Sequence, residues 1–169
     1  MNDNKQLHVR TAPAVVIRDI DNGLDLVRIV GVPEGTDDFF ILRTAERAGL
    51  LEHGLYEEAP RGALAVVWED DAGWQTPDVP TVSWADIRPV RLFVRGPDRE
   101  WSDAVPAREA VKTIAEVIQG HLALEHWPPE ELGEDDVEAI RSLVEQGVDG
   151  EWACPCGRFR LWWEIACNA

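Results

Sequence analysis

The chain has 169 residues, 45% of them hydrophobic and 28% charged, enough for one domain whose core needs no disulfide or metal staple. Its formal net charge is −16, from 32 acidic and 16 basic residues, which argues against nucleic acid and anionic membranes as partners. No segment approaches the roughly 20 apolar residues that cross a bilayer, the N-terminus has no secretory pattern, and three cysteines do not suggest a disulfide framework. The expectation is a cytoplasmic protein with reduced thiols.

Residues 1–10 read as a flexible polar tail and residues 11–169 as a single domain. Ala14–Ile20 and Leu24–Val30 flank Asp21-Asn22-Gly23, and Asn-Gly supplies the positive φ angles of a tight hairpin turn. Phe39–Leu42 is too short for periodicity to decide between helix and strand, although a helix is expected somewhere within 37–52. Ala63–Trp68 is continuously apolar and reads as a central strand buried on both faces, followed by a turn at Asp70–Gly73. Trp74–Pro89 reads as a long loop in which Ser83 caps one helical turn. Val90–Arg95 alternates, with Val90, Leu92 and Val94 on one face and Arg91 and Arg95 on the other.

Pro106 opens the strongest helix, with Ser102 or Asp103 expected as its cap. Ala107, Ala110, Val111, Ile114, Val117, Ile118 and His121 or Leu122 recur at threes and fours, marking one buried face, and Trp127-Pro128-Pro129 ends the helix. A second helix is expected from about Asp135 to Gln146, ended by Gly147. The chain closes on a hairpin with Pro155 and Cys156 in its turn. Phe159, Leu161, Trp163 and Ile165 form its apolar face, and Trp152 is expected to pair across with Phe159. Strands and helices do not alternate regularly. That order predicts an α+β fold, a mainly antiparallel sheet of about five or six strands with two to three helices on one face.

Two clusters invite chemistry. Cys154 and Cys156 occupy the C-terminal hairpin tip. A straight strand rises about 3.3 Å per residue, so Cys167 would lie roughly 36 Å from Cys156 and cannot share a metal with it. A structural zinc site needs four ligands, and the soft ligands left are His8, His53, His121 and His126. Cys154, Cys156, His121 and His126 are a conceivable set if the end of the long helix folds back on the hairpin. Against it, the cysteines lack the usual two-residue spacer and the histidines match no familiar zinc pattern. A redox pair fits worse, because one intervening residue makes a strained ring. The plain alternative is a pair of free thiols acting as small hydrophobes.

The second cluster is acidic. Residues 128–151 hold nine carboxylates against Arg141 alone, half of the net charge. Glu134, Asp135 and Asp136 suit a helix N-terminus; the other charges have no local partner in sequence. A solvated face explains them simply, and a docking surface for a cationic protein is the functional reading. A nucleic-acid mimic fits less well, because Arg88, Arg91, Arg95, Arg99 and Arg108 interrupt the negative pattern.

His53, beside Glu52 and near Tyr56, Glu57 and Glu58, lacks a nucleophile or oxyanion motif and reads as a loop histidine. Trp74, Trp84, Trp101 and Trp127 read as staples holding loops to the core, or as a platform for a ligand. Trp162 falls on the Arg158, Arg160 and Glu164 side of its strand, and is expected exposed or stacked on a guanidinium.

With no complete catalytic signature, the sequence favours a non-enzymatic acidic binding protein, such as an inhibitor, immunity-type protein or adaptor. It would dock a basic protein through Glu130, Glu131, Glu134, Asp135, Asp136, Glu138 and Trp162, without a cofactor. The first alternative is a zinc module or metal-dependent enzyme using Cys154, Cys156, His121 and His126. The second is a small-molecule or sugar binder using the loop tryptophans.

Overall fold

A computed structural model describes residues 13–51, 64–69 and 78–166. Strands β1 (Val15–Asp19) and β2 (Leu24–Val30) form the expected hairpin. Gly23 takes φ 65°, and the Asp19 carboxylate accepts hydrogen bonds from the Asn22 side chain and from the Asp21 and Asn22 amides. Helix α1 (Asp38–Arg47) follows, its first turn closed by the Asp37 carboxylate, which accepts from the Phe40 amide at 3.2 Å. The Phe39–Leu42 run is therefore helical.

Strand β3 (Leu64–Trp68) pairs antiparallel with β1, and the short β4 (Thr81–Ser83) pairs parallel with β2, giving the order β3-β1-β2-β4. The expectation of a central strand at 63–68 is corrected: β3 is an edge strand, and Val67 is 36% exposed. An apolar run does not say how many of its faces are covered. Here Leu64, Val66 and Trp68 pack on the core of this half, while Val67 points the other way.

Helix α2 (Trp84–Ile87) begins after Ser83, the expected cap position, although the Ser83 side chain makes no capping bond. It plants Trp84 and Ile87 in the core formed by Val15, Ile17, Val27, Ile29 and Ile41.

Strands β5 (Pro89–Arg95), β6 (Glu100–Pro106), β7 (Gly150–Ala153) and β8 (Arg160–Ile165) form a second, wholly antiparallel sheet in the order β6-β5-β8-β7. The single sheet of five or six strands is thus replaced by two sheets of four. Helices α3 (Ala107–Glu125) and α4 (Glu134–Gln146) cover one face of the second sheet. Val90, Leu92, Val94, Leu161, Trp163 and Ile165 meet Ala110, Ile114, Ile118, Ile140 and Val144 there. With α1 and α2 the described residues hold four helices rather than two or three.

Ser102 and Asp103 are not helix caps. They lie in β6, opposite Phe93 and Leu92, and the strand runs on to Pro106, itself the residue before the helix. A local capping signal lost here to a cross-strand pairing that no local pattern encodes. Trp152 pairs with Leu161 rather than Phe159, yet its ring meets Phe159, the last residue of the tip, edge-on at 6.0 Å. Among the described residues no helix is long and apolar enough to cross a membrane.

The two sheets are joined around α2. The Arg88 guanidinium donates to the carbonyls of Val144 and Glu145 at the end of α4, the Arg88 carbonyl accepts from Ala107 N at 3.0 Å, and Arg108 donates to the Ala48 carbonyl. Gly147 ends α4 at φ 71°, as expected. Gly150 is forced by packing instead. A Cβ there would lie 2.2 Å from Cζ2 of Trp163, which is 1% exposed and held by its own bond to the Val148 carbonyl. Gly150→Ala is expected to lose roughly 1–3 kcal/mol or more through overpacking. Urea denaturation followed by tryptophan fluorescence measures this; an unchanged midpoint would contradict the packing described.

Candidate metal centre

The site forms where two elements end side by side. The buried stripe of α3 runs through Ala110, Ile114, Ile118, His121 and Leu122, so His121 faces the core at 7% exposure. In a continuous helix His126, five residues on, would lie about 140° around the axis from His121. The helix instead ends at Glu125, and His126 takes extended angles (φ −105°, ψ 139°) that swing its ring back. The two imidazoles sit edge to face, with centroids 5.3 Å apart.

The tip of the β7–β8 hairpin supplies the other half. Cys154 N donates to Phe159 O, Gly157 N donates to Cys154 O, and Gly157 adopts φ 71°. This tight turn points both sulfurs at the helix end. Cys154 is buried and Cys156 exposed. Phe159 stacks on His121 with centroids 4.2 Å apart and planes 14° from parallel, locking the two elements together.

Ligand atoms of His121, His126, Cys154 and Cys156 all lie within 4.8 Å of one another. His126 Nε2 is 3.0 Å from Cys154 Sγ, and His121 Nε2 is 3.7 Å from Cys156 Sγ. Ideal zinc bond lengths put tetrahedral ligand atoms roughly 3.3–3.8 Å apart, so slight adjustment would admit the ion. The support around the ligands is of the right kind. His126 Nδ1 lies 3.2 Å from Glu130 Oε1, the carboxylate-to-histidine contact that orients metal-binding imidazoles. Gln119 of α3 holds the loop carrying Glu130, donating to the Glu130 carbonyl at 3.1 Å and accepting from Leu132 N at 2.8 Å. Cys154 Sγ accepts from Cys156 N and Cys156 Sγ from Arg158 N, at 3.4 and 3.5 Å.

These contacts set the proton inventory. The Cys156 thiol is lowered to about 6, first by the hydrogen bond from Cys154, then by the Arg158 amide and the two histidines. Burial, followed by the Cys156 sulfur, pushes Cys154 up. His126 is raised by hydrogen bonds to the Cys156 sulfur and then to Glu130. The shifts run toward a Cys156 thiolate, and metal binding would require both thiols and both imidazoles to be deprotonated.

The structure brings together the four residues that the sequence put forward only as an alternative. One sequence signal was undervalued. His121 and His126 are separated by four residues, within the three to five of the histidine pair in Cys2His2 centres, a spacing suited to a helix end. The role of Glu130 was missed, because it depends on the loop pinned by Gln119. Other acids read as unpartnered also have local work: Glu138 pairs with Arg141, Glu151 with Arg160, and Asp149 accepts from Ile165 N at 2.7 Å.

Glu131, Glu134, Asp135 and Asp136 remain exposed around the start of α4. Trp162 does not join them. It lies on the sheet face opposite the helices, stacked on Phe93 at 5.3 Å with the Arg160 guanidinium over its ring. Trp84 is a buried staple, Trp101 is partly exposed and Trp127 is 94% exposed. The tail 1–10, Ala63, the turn at 70–73, His53 and its neighbours, Trp74 and Cys167 lie outside the described residues. No protein-family profile, curated protein or solved structure matches this chain.

In metal-free protein, iodoacetamide should modify Cys156 before Cys154, with a rate that rises through pH of about 6 and levels off above it. Peptide mapping by mass spectrometry against pH checks this. A rate that climbs only in the ordinary thiol range would contradict the hydrogen-bonded thiolate.

Proposed function

We propose that this chain is a zinc-binding module whose Cys2His2 centre, made by His121, His126, Cys154 and Cys156, clamps the end of α3 to the β7–β8 hairpin. The observation that carries the reading is the convergence of four ligand atoms within 4.8 Å from segments 28 to 35 residues apart. Two thiolates and two imidazoles form a borderline-soft tetrahedral set that suits zinc. Four protein ligands complete such a shell and leave no open position for a catalytic water, so the role is structural rather than catalytic.

Protein purified without chelator should carry about one equivalent of zinc and lose thermal stability when the metal is removed. Cobalt should substitute with the strong visible bands of a tetrahedral thiolate site. Cys154→Ser and His126→Ala should abolish that spectrum, and Glu130→Gln should weaken zinc binding roughly 10- to 100-fold through loss of orientation. Less than about a tenth of an equivalent of zinc, together with no cobalt spectrum on reconstitution, would overturn the reading.

A second reading concerns what the clamp holds in place. Trp127 is 94% exposed directly after the ligand His126, and Glu125, Glu130 and Glu131 lie on either side of it in sequence. An exposed tryptophan in an acidic stretch of sequence suits a non-enzymatic binding protein that docks a basic protein partner, with Glu134, Asp135, Asp136 and Glu138 extending the acidic surface. Trp162, on the opposite sheet face, is not part of this surface. Capture of a basic protein at low salt should be lost with Trp127→Ala and with lysines at Glu131, Glu134 and Asp135; salt-insensitive capture would refute this reading.

A further inference from the structure

A cavity of about 420 Å³ opens beside the metal centre, between the end of the β5–β6 hairpin and one flank of α3. Its apolar walls include Val94, Trp101, Val117, Leu124 and Phe159, and Phe159 and His121 divide it from the cysteine side of the cluster. The volume falls within the range of small-molecule sites, with room for roughly a dozen waters.

Gly120 supplies an independent observation. It sits inside a 19-residue helix and lines this cavity. A Cβ built on it would meet no atom within 4 Å. No internal contact therefore requires glycine there, although almost any other residue would favour the helix more. Val117, Gly120 and Leu124 share one flank at spacings of three and four, and the glycine leaves open the stretch between two larger side chains. Two large apolar side chains at the mouth, Leu124 and Trp101, are 85% and 37% exposed and so offer apolar surface to an occupant.

The polar rim indicates the charge of the occupant. Asp98 and Glu125 line the opening against the single guanidinium of Arg99. Two carboxylates outnumber one cation, the whole chain carries −16, and the tryptophan face favours a positive charge near it. We propose that this cavity binds a small organic cation with an apolar body, an arylalkylammonium in chemical class, the ring between Trp101 and Leu124 and the ammonium at Asp98 and Glu125. This site does not depend on the zinc reading, since its groups bind no metal apart from the shared wall residue His121.

The test is calorimetric titration of the protein as purified with 2-phenylethylamine, with 2-phenylethanol as the neutral analogue and 3-phenylpropanoate as the anionic one. The amine should bind roughly tenfold more tightly than the alcohol, and the carboxylate least. Gly120→Leu should fill the space, weaken amine binding roughly tenfold or more and leave the melting temperature level or raised. If Gly120→Leu does not fold, the pair Asp98→Asn and Glu125→Gln serves instead: amine affinity should fall to that of the alcohol, whose own affinity stays unchanged. The proposal is overturned if none of the three ligands binds, if the carboxylate or alcohol equals the amine, or if a folded variant binds the amine as the parent does.

Discussion

The meeting of His121, His126, Cys154 and Cys156 depends on a shared apolar core. The stripe of α3 and the inward face of β8 belong to one core, which brings the end of α3 beside the turn that precedes β8. One ends at Glu125, where the backbone turns extended and rotates His126 back beside His121. The other turns at Pro155 and Cys156 and presents two sulfurs. The stacking of Phe159 on His121 sets the last few ångströms. Burial of apolar surface thus performs the positioning, and the ligands themselves need contribute little to the approach of the two segments.

That arrangement changes the meaning of the polar groups around it. A buried histidine and a buried thiol each lose solvation, and the structure compensates with mutual contacts: amide to sulfur, imidazole to sulfur, carboxylate to imidazole. In the metal-free state these hold a proton inventory. The amide-to-sulfur and carboxylate-to-imidazole contacts are compatible with a bound ion, whereas coordination would replace the imidazole-to-sulfur contacts.

The acidic stretch also takes on a different character. Read along the chain it is a block of nine carboxylates; in space it divides. Glu130 meets His126, Asp149 bonds a strand amide, Glu151 and Glu138 meet arginines, and three carboxylates open α4. The exposed carboxylates that remain gather mainly at the start of α4. The second half of the molecule thus gathers the His–Cys cluster and the neighbouring cavity around one end of α3, while the first half is tied to it through Arg88 and Arg108.

Local pattern sufficed for much of this. The Asn-Gly hairpin, the period of α3, the Gly147 stop and the alternation of β8 are short-range signals, each set by backbone conformation or by one buried face. So was the list of four candidate ligands, because soft side chains are few. Long-range pairing lay beyond it: the division into two sheets, the edge position of β3, the recruitment of Ser102 and Asp103 into β6, and the register that sets Trp152 opposite Leu161. A strand's partner is decided by which elements cover its faces, and no window of sequence contains that information. The ligand set followed the same division. Chemistry named the residues, but only the packing of α3 against the C-terminal hairpin decided that they meet, since their convergence is a consequence of the shared core and not of their spacing.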